Sequence, residues 1–512
     1  MSATSEGRLF EGADWDFQTL QRIHDACEKI ALSELGLEVY PNQIEVITAE
    51  QMLDAYAAIG MPLFYKHWSF GKKFVQHEAL YRKGMRGLAY EIVINSSPCI
   101  SFLMEGNTAT MQALVIAHAA FGHNHFFRNN YLFKQWTDAE GILDYLAFAK
   151  SYVTSCEERY GHLAVERTLD AAHALMSHGV HRHSQRKPDL LKEEERQLER
   201  RLYEEQTFND LWRTVPEGKR KSRADLTLGN RQGLLGLPQE NLLYFLEKSA
   251  PKLKPWQREL LRIVRLVAQY FYPQGQTKLM NEGVATYIHY RIMTRLREQD
   301  RISDGDYLEF LQSHTNAVYQ PNYDDSFFQG FNPYALGFAM MRDIERIVTD
   351  PEEEDRAWFP EIAGRGDAME VLREIWANYR DDSFIGQFLS PRLIRHFRLF
   401  HLRDDSDEPE VTVDDIHNER GYRAIRRLLA RQYEVGRSDP NIEIIDADLA
   451  GDRRLIVHHR ILDGALLAER ETRLTLQHMA DLWGYGVLLR EIDGEEIVRE
   501  HAVNARPDIF ER

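Results

Sequence analysis

Three imidazoles fall within eight residues at His118, His123 and His125, in a stretch that is otherwise almost wholly apolar (HAAFGHNH). Neutral imidazole is the commonest protein ligand for transition metals, and it titrates near neutral pH. Histidines that share an ion on one helix usually stand four residues apart, as in HExxH. His118 and His123 stand five apart, which on a regular α-helix rotates the second ring by about 140° from the first. A one-residue π-bulge would bring both to one face, and Gly122 offers a place for that distortion. Without it, His118 and His125 share a face and would satisfy buried hydrogen bonds. The density of the three favours ligand or catalytic use.

A second constellation lies in MNEGVATYIHY, residues 280–290. Glu282 opens an apolar helix and shares a face with Thr286 and His289. The string resembles the NEG-x-A-[ST]-[YF] segment of zinc aminopeptidases, where the Glu is the third zinc ligand after an HExxH on the preceding helix. Two His and one carboxylate with an open position are the usual catalytic zinc set. The resemblance implies a divalent ion, zinc first, on His118, His123 and Glu282. One feature departs from it: where HExxH carries its general-base Glu, this chain has Ala119. Glu105, just ahead of the His helix, is then the candidate base, with His289 as a second proton-handling group. Glu282 and Glu105 could instead compensate helix N-termini.

A third pattern lies in CEERYGHLAVERTLDAAHAL, where Glu158, His162, Glu166, Asp170 and His173 follow at spacings of four, four, four and three. On one continuous helix all five share a face, which either meets water or lines a polar cavity. The Asp170–His173 pair is similar to the ExxH of di-metal helical bundles. Tyr65, His67 and Trp68 beside Lys72 and Lys73, followed by His77 and Glu78, suit an anionic or sugar-like ligand or an amphipathic helix equally well. The chain has no P-loop, GxGxxG after a strand, GxSxG or kinase signature, so nucleotide-driven chemistry has no support.

These residues need elements to position them. Residues 14–60 read as helices, and residues 62–103 as mixed, with two extended runs broken at Ser96-Ser97-Pro98. From Thr108 an apolar pattern predicts a buried helix. Two helices follow over 139–180, then a charged helix and linker over 184–225. Helical patterns resume over 237–300, 335–347, 367–379 and 391–400. The acidic run DDSDEPEVTVDD, starting at Asp404, marks a connector. Beyond it, helix, two strands, helix and two strands make a small α+β module suited to regulation or interaction. The expected fold is mainly α: a helical domain over 1–403 with a zincin-like metal-site core, and an α+β module over 411–512.

At 512 residues with 43% hydrophobic and 11% aromatic content, the chain can bury a large core. A formal net charge of −17 gives no bulk attraction to nucleic acid. Three cysteines without a CxxC form neither a disulfide framework nor a Cys-rich zinc module. The polar, acidic start lacks a signal peptide's features, and no window offers a membrane span's apolar run. The expected location is cytoplasmic.

Four strings together carry a family resemblance: YEIVINSSPCISFLMEGNTATMQALVIAHAAFGHNHFFRNNYLF, MNEGVATYIHY, NPYALGFAMMRDIERI and DDSFIGQFLSPRLIRHFRLF. They resemble the hallmark segments of the SpoVR (stage V sporulation protein R) family from about residue 15 to the C-terminal module. The resemblance implies a bacterial protein tied to spore cortex formation, the cell envelope or stress physiology. It also implies a PrkA-type serine protein kinase and a YeaH/YhbH-type protein as partners. The family's polar motif positions fall here on Asn95, Glu105, Asn107, Gln112, His118, His123, Asn124, Asn281, Glu282 and His289. Val284 stands where Trp often follows the NEG, and His125 is not a fixed position. Two functions follow: a metal-dependent hydrolase of an amide or peptide bond, such as a cell-wall peptide or precursor, or a non-enzymatic regulator in the kinase system.

Overall fold

The computed structural model describes residues 7–52, 65, 67, 91–181, 237–322, 325, 328, 330–403, 412–415, 417–434, 439–448, 451–462 and 464–507. The expected charged linker over 184–225 lies outside them, as do Trp68, Lys72, Lys73, His77 and Glu78. Contacts divide the chain into two compact units, one of Met1–Lys150 with Pro273–Glu434, the other of Ser151–Tyr272 with Val435–Arg512. This differs from a cut near residue 404, because the first unit recruits the helix Glu419–Gln432 and the second combines mid-chain and C-terminal segments.

The first unit carries a three-stranded sheet of order β1-β3-β2, formed by β1 (Asn42–Ile47), β2 (Glu91–Ile94) and β3 (Cys99–Met104). β1 runs parallel to β3 and β2 antiparallel. The two extended runs flanking Ser96-Ser97-Pro98 are β2 and β3, as read from the sequence. The all-helical reading of 14–60 is corrected: the helix Phe17–Glu28 continues to Glu34 as a π-helix, but 42–47 is a strand. In NQIEVI, Gln43 and Glu45 are exposed while Ile44 and Val46 are half-buried, a period of two that suits a sheet paired on one side.

The His helix begins at Thr108, whose hydroxyl accepts the Met111 N–H at 3.2 Å. It runs as α-helix over Ala109–Ile116, as π-helix over Ala117–His123, and as α-helix again over Asn124–Asn129. Every residue of the π-helical stretch is buried, as its apolar composition requires. Against it packs the Glu helix, Lys278–Glu298. The start of the Glu helix is fixed by Asp381, whose two oxygens accept the Leu279 and Met280 N–H groups at 2.8 Å each. A third helix, Pro333–Thr349, packs on the Glu helix where Gly283 faces Gly337. Phe121, Met280, Val284, Tyr287, Leu336, Met340 and Trp376 belong to the apolar core that holds these helices. Among them Val284 is fully buried.

The second unit contains Ser151–Tyr160 of the helix Ile142–Tyr160, and then the helix His162–Ala174. Gly161, with φ of 86°, separates them. The five-residue titratable stripe is therefore not on one helix: Glu158 belongs to the first, and Glu166, Asp170 and His173 to the second. A left-handed residue cannot sit inside an α-helix, and glycine adopts it at least cost. The C-terminal strands β6 (Ile442–Ala447), β7 (Leu455–Arg460), β8 (Val487–Asp493) and β9 (Glu496–Val503) form one sheet in that order. The helix Glu469–Trp483 joins the parallel pair β7 and β8. It packs on His162–Ala174, and its Trp483 lies 5.8 Å from the Phe245 ring. Before it in the chain, β4 (His401–Arg403) and β5 (Thr412–Asp415) form a short antiparallel pair that belongs to the first unit.

Candidate metal centre

In a π-helix the backbone closes i to i+5, so residues five apart come into line where an α-helix would separate them. The sequence of Ala117–His123 takes this form over its whole length. The His118 and His123 rings meet with centroids 4.6 Å apart and planes at 87°. Gly122 serves the arrangement by having no Cβ: one built there would lie 2.6 Å from Ala285 Cα. The close approach brings the His helix against the first turns of the Glu helix.

Four donor atoms converge there. His118 Nε2 lies 3.2 Å from Glu91 Oε1 and 3.7 Å from Glu282 Oε2. His123 Nε2 lies 3.7 Å from Glu91 Oε1 and 3.6 Å from Glu282 Oε2. Ligands held about 2.0–2.1 Å from one tetrahedral ion stand about 3.4 Å from each other, and the four separations bracket that value. Glu282 Oε2 is buried and has no hydrogen-bond partner at ordinary length. Donor identity, spacing and that oxygen all fit a divalent ion of borderline softness such as zinc.

Neighbouring groups set the protons. Asn281 Oδ1 lies 2.9 Å from His123 Nδ1, so that nitrogen carries the hydrogen and Nε2 presents its lone pair to the cluster. His118 Nδ1 lies 2.9 Å from His289 Nδ1, and His289 Nε2 lies 2.9 Å from His314 Nδ1. Burial pulls His118 toward neutrality, but Glu91 and Glu282 outweigh it and raise its pKa. Burial pushes His123 down to about 4 against the pull of Glu282, and holds His289 well below the usual imidazole range. Burial pushes Glu91 up to about 7, with His118 opposing and Glu282 reinforcing. Glu282 is held low despite its burial, because His118, His123 and Tyr334 stabilise its charge. Two carboxyls at one site thus separate into one that stays ionised and one poised near neutrality.

Of the residues singled out by sequence, His118, His123, Asn281, Glu282 and His289 come together. Glu105 is instead exposed in the turn after β3, its N–H bonded to Ile47 O at 2.9 Å. The others clamp the surrounding frame. Asn95 donates to Thr137 Oγ1 at 3.0 Å, Gln112 to Met104 O at 3.0 Å, and Asn107 to Gln112 Oε1 at 3.4 Å. Asn124 holds both the N–H and C=O of Tyr40, at 2.8 and 2.9 Å. His125 pairs with the Glu38 backbone, and burial pushes it down to about 4. Glu166, Asp170 and His173 belong to the second unit. Glu91 and His314 escaped the sequence reading. The signal for Glu91 was a single charge at the head of an apolar strand. For His314 it was a polar residue four after Phe310 on a buried helical stripe.

These features define a mainly helical protein with a buried imidazole–carboxylate cluster and a small C-terminal sheet module. The chain belongs to the SpoVR family: residues 14–438 match the family described as SpoVR like protein, and residues 440–494 match SpoVR-like C-terminal domain. It is 51% identical over 485 residues to "Uncharacterized protein YcgB" of Escherichia coli (strain K12), covering 94% of each chain. The family name relates it to sporulation. No solved structure matches the chain, so the expected zincin-like core has no structural relative behind it. Among the described residues, no helix is long and apolar enough to cross a membrane.

Proposed function

We propose that this protein is a metal-dependent hydrolase of amide bonds, with His118, His123 and Glu282 as ligands and Glu91 as the proton-handling group. The observation that carries the reading is the convergence of two imidazole Nε2 atoms and two carboxylate oxygens at separations of 3.2–3.7 Å. A divalent ion there would polarise a scissile carbonyl and acidify water. Asn281 orients His123. Glu91, with its carboxyl near neutrality, is suited to take a proton and return it to a leaving amine. It fills the role left vacant by Ala119, in place of the exposed Glu105. The substrate class, a cell-wall peptide or its cytoplasmic precursor, follows from the family's tie to sporulation.

Metal analysis of the purified full chain tests this. Near-stoichiometric zinc should survive dialysis in the wild type and in Glu91→Gln, and be lost in His118→Ala and Glu282→Ala. Glu91→Gln should abolish hydrolysis of muropeptide-type amides while keeping the ion. A folded wild-type chain that retains no divalent metal would refute the reading. A regulatory role beside a PrkA-type kinase and a YeaH/YhbH-type protein is the second reading. It is favoured by Ala119 and by a four-donor set, since structural sites use four protein ligands. Under it, Glu91→Gln would leave in vivo function intact while kinase capture depends on the fold.

A further inference from the structure

The cluster does not end at its ligands. Behind His118 stand two more imidazoles in series, His289 on the Glu helix and His314 on the helix Asp304–Ala317, each link 2.9 Å long. All three are at least nine-tenths buried by side-chain exposure, with His289 at 2% and His314 at 5%. His314 sits among Phe310, Phe338 and Tyr290, at ring distances of 5.7, 4.8 and 5.2 Å. A neutral imidazole has one donor and one acceptor, so such a series can be hydrogen-bonded in only two ways, each running in a single direction.

Positive charge at the cluster chooses the direction. Whether a metal ion or a proton occupies His118 Nε2, His118 Nδ1 must carry hydrogen and donate. His289 then accepts at Nδ1 and donates from Nε2, and His314 accepts at Nδ1. We infer that His314 is a positioning residue for the cluster: its Nδ1 lone pair takes the His289 Nε2–H that this direction requires, and so holds the His289 ring, and through it the His118 ring and its Nε2 lone pair, in place. This deepens the metal reading and rests on it for its effect on affinity. The tautomer it assigns to His289 stands apart from that reading. Burial pushes His314 down to about 4, in keeping with a neutral ring at the end of the series.

The test uses the full chain, two variants and two readouts. His314→Phe suits the aromatic surroundings but offers no acceptor. His314→Asn puts an amide oxygen where Nδ1 stood. Zinc affinity, measured by chelator competition, should fall about tenfold in His314→Phe, at the lower end of the range for outer-shell ligand partners. It should return to near wild type in His314→Asn. Nitrogen-15 spectra of histidine-labelled protein should show the Nε2–H form of His289 in all three, with that hydrogen protected from exchange in wild type and His314→Asn and exchanging faster in His314→Phe. Equal zinc affinity in all three with equal protection of the His289 Nε2–H overturns the inference. If the wild type binds no zinc, the metal reading fails. The spectra then decide alone: a His289 in the Nδ1–H form overturns the assignment, and the Nε2–H form upholds it.

Discussion

At the scale of single residues, the chain repeatedly places a carboxylate among imidazoles and lets its surroundings choose its charge. Glu91 and Glu282 show this at the cluster, and Glu491 shows it in the C-terminal sheet. Glu491 is fully buried and accepts from Arg499 at 2.6 Å, His501 at 2.8 Å and the Leu467 N–H at 2.9 Å. Burial alone would raise its pKa, but these partners hold it down to about 2. A carboxyl depressed in the folded state stabilises the fold above its unfolded pKa, about 4.3, and loses that contribution as pH falls toward 2. Thermal midpoints should therefore drop between pH 5 and pH 2.5 more steeply in wild type than in Glu491→Gln. Parallel curves would show that Glu491 is not the group responsible. His118, His123 and Glu282 were legible in the sequence because their local spacing and apolar setting are unusual. Glu91 was not, because its place beside them is set by strand pairing and helix packing across long stretches of chain.

At the scale of elements, the π-helical stretch converts a five-residue spacing into adjacency, and one glycine allows its partner to approach. A methyl at Gly122 would have to displace the Ala285 backbone, which is not a flexible side-chain end. Gly122→Ala should cost about 1–3 kcal/mol, the range for overpacking a dense core. Under the proposed metal reading it should also lower metal retention, since the two helices carry the proposed ligands on facing sides. A variant with unchanged melting temperature and metal content would contradict this account. Most helices and all four C-terminal strands could be read from periodicity, because each pattern is local. Two features could not. β1 depends on parallel pairing with the distant β3, and the break at Gly161 interrupts a spacing that still looks continuous in the sequence.

At the scale of the molecule, the composition shift near residue 404 is real but does not mark where contacts divide. The second unit needs its C-terminal segment: Gln239 bridges to Ile444, Phe245 meets Trp483, and the helix His162–Ala174 packs on Glu469–Trp483. A chain ending at residue 434 should leave 151–181 and 242–272 open to protease while 91–130 and 278–298 stay protected. Mass spectrometry of timed digests would read this, and equal protection of both sets would refute it.

The π-helical stretch also sets a timetable. Its two imidazoles leave the ribosome with Glu91 already made, but Glu282 follows His123 by 159 residues. At about 5–20 residues per second that is a wait of roughly 8–30 s. Through that interval the growing chain carries two histidines and one carboxylate with the last member of the set still unsynthesised. If the cluster holds an ion as proposed, one captured early would sit in an incomplete and exchangeable set, so the metal supply at the moment of completion, rather than at initiation, would decide what it receives.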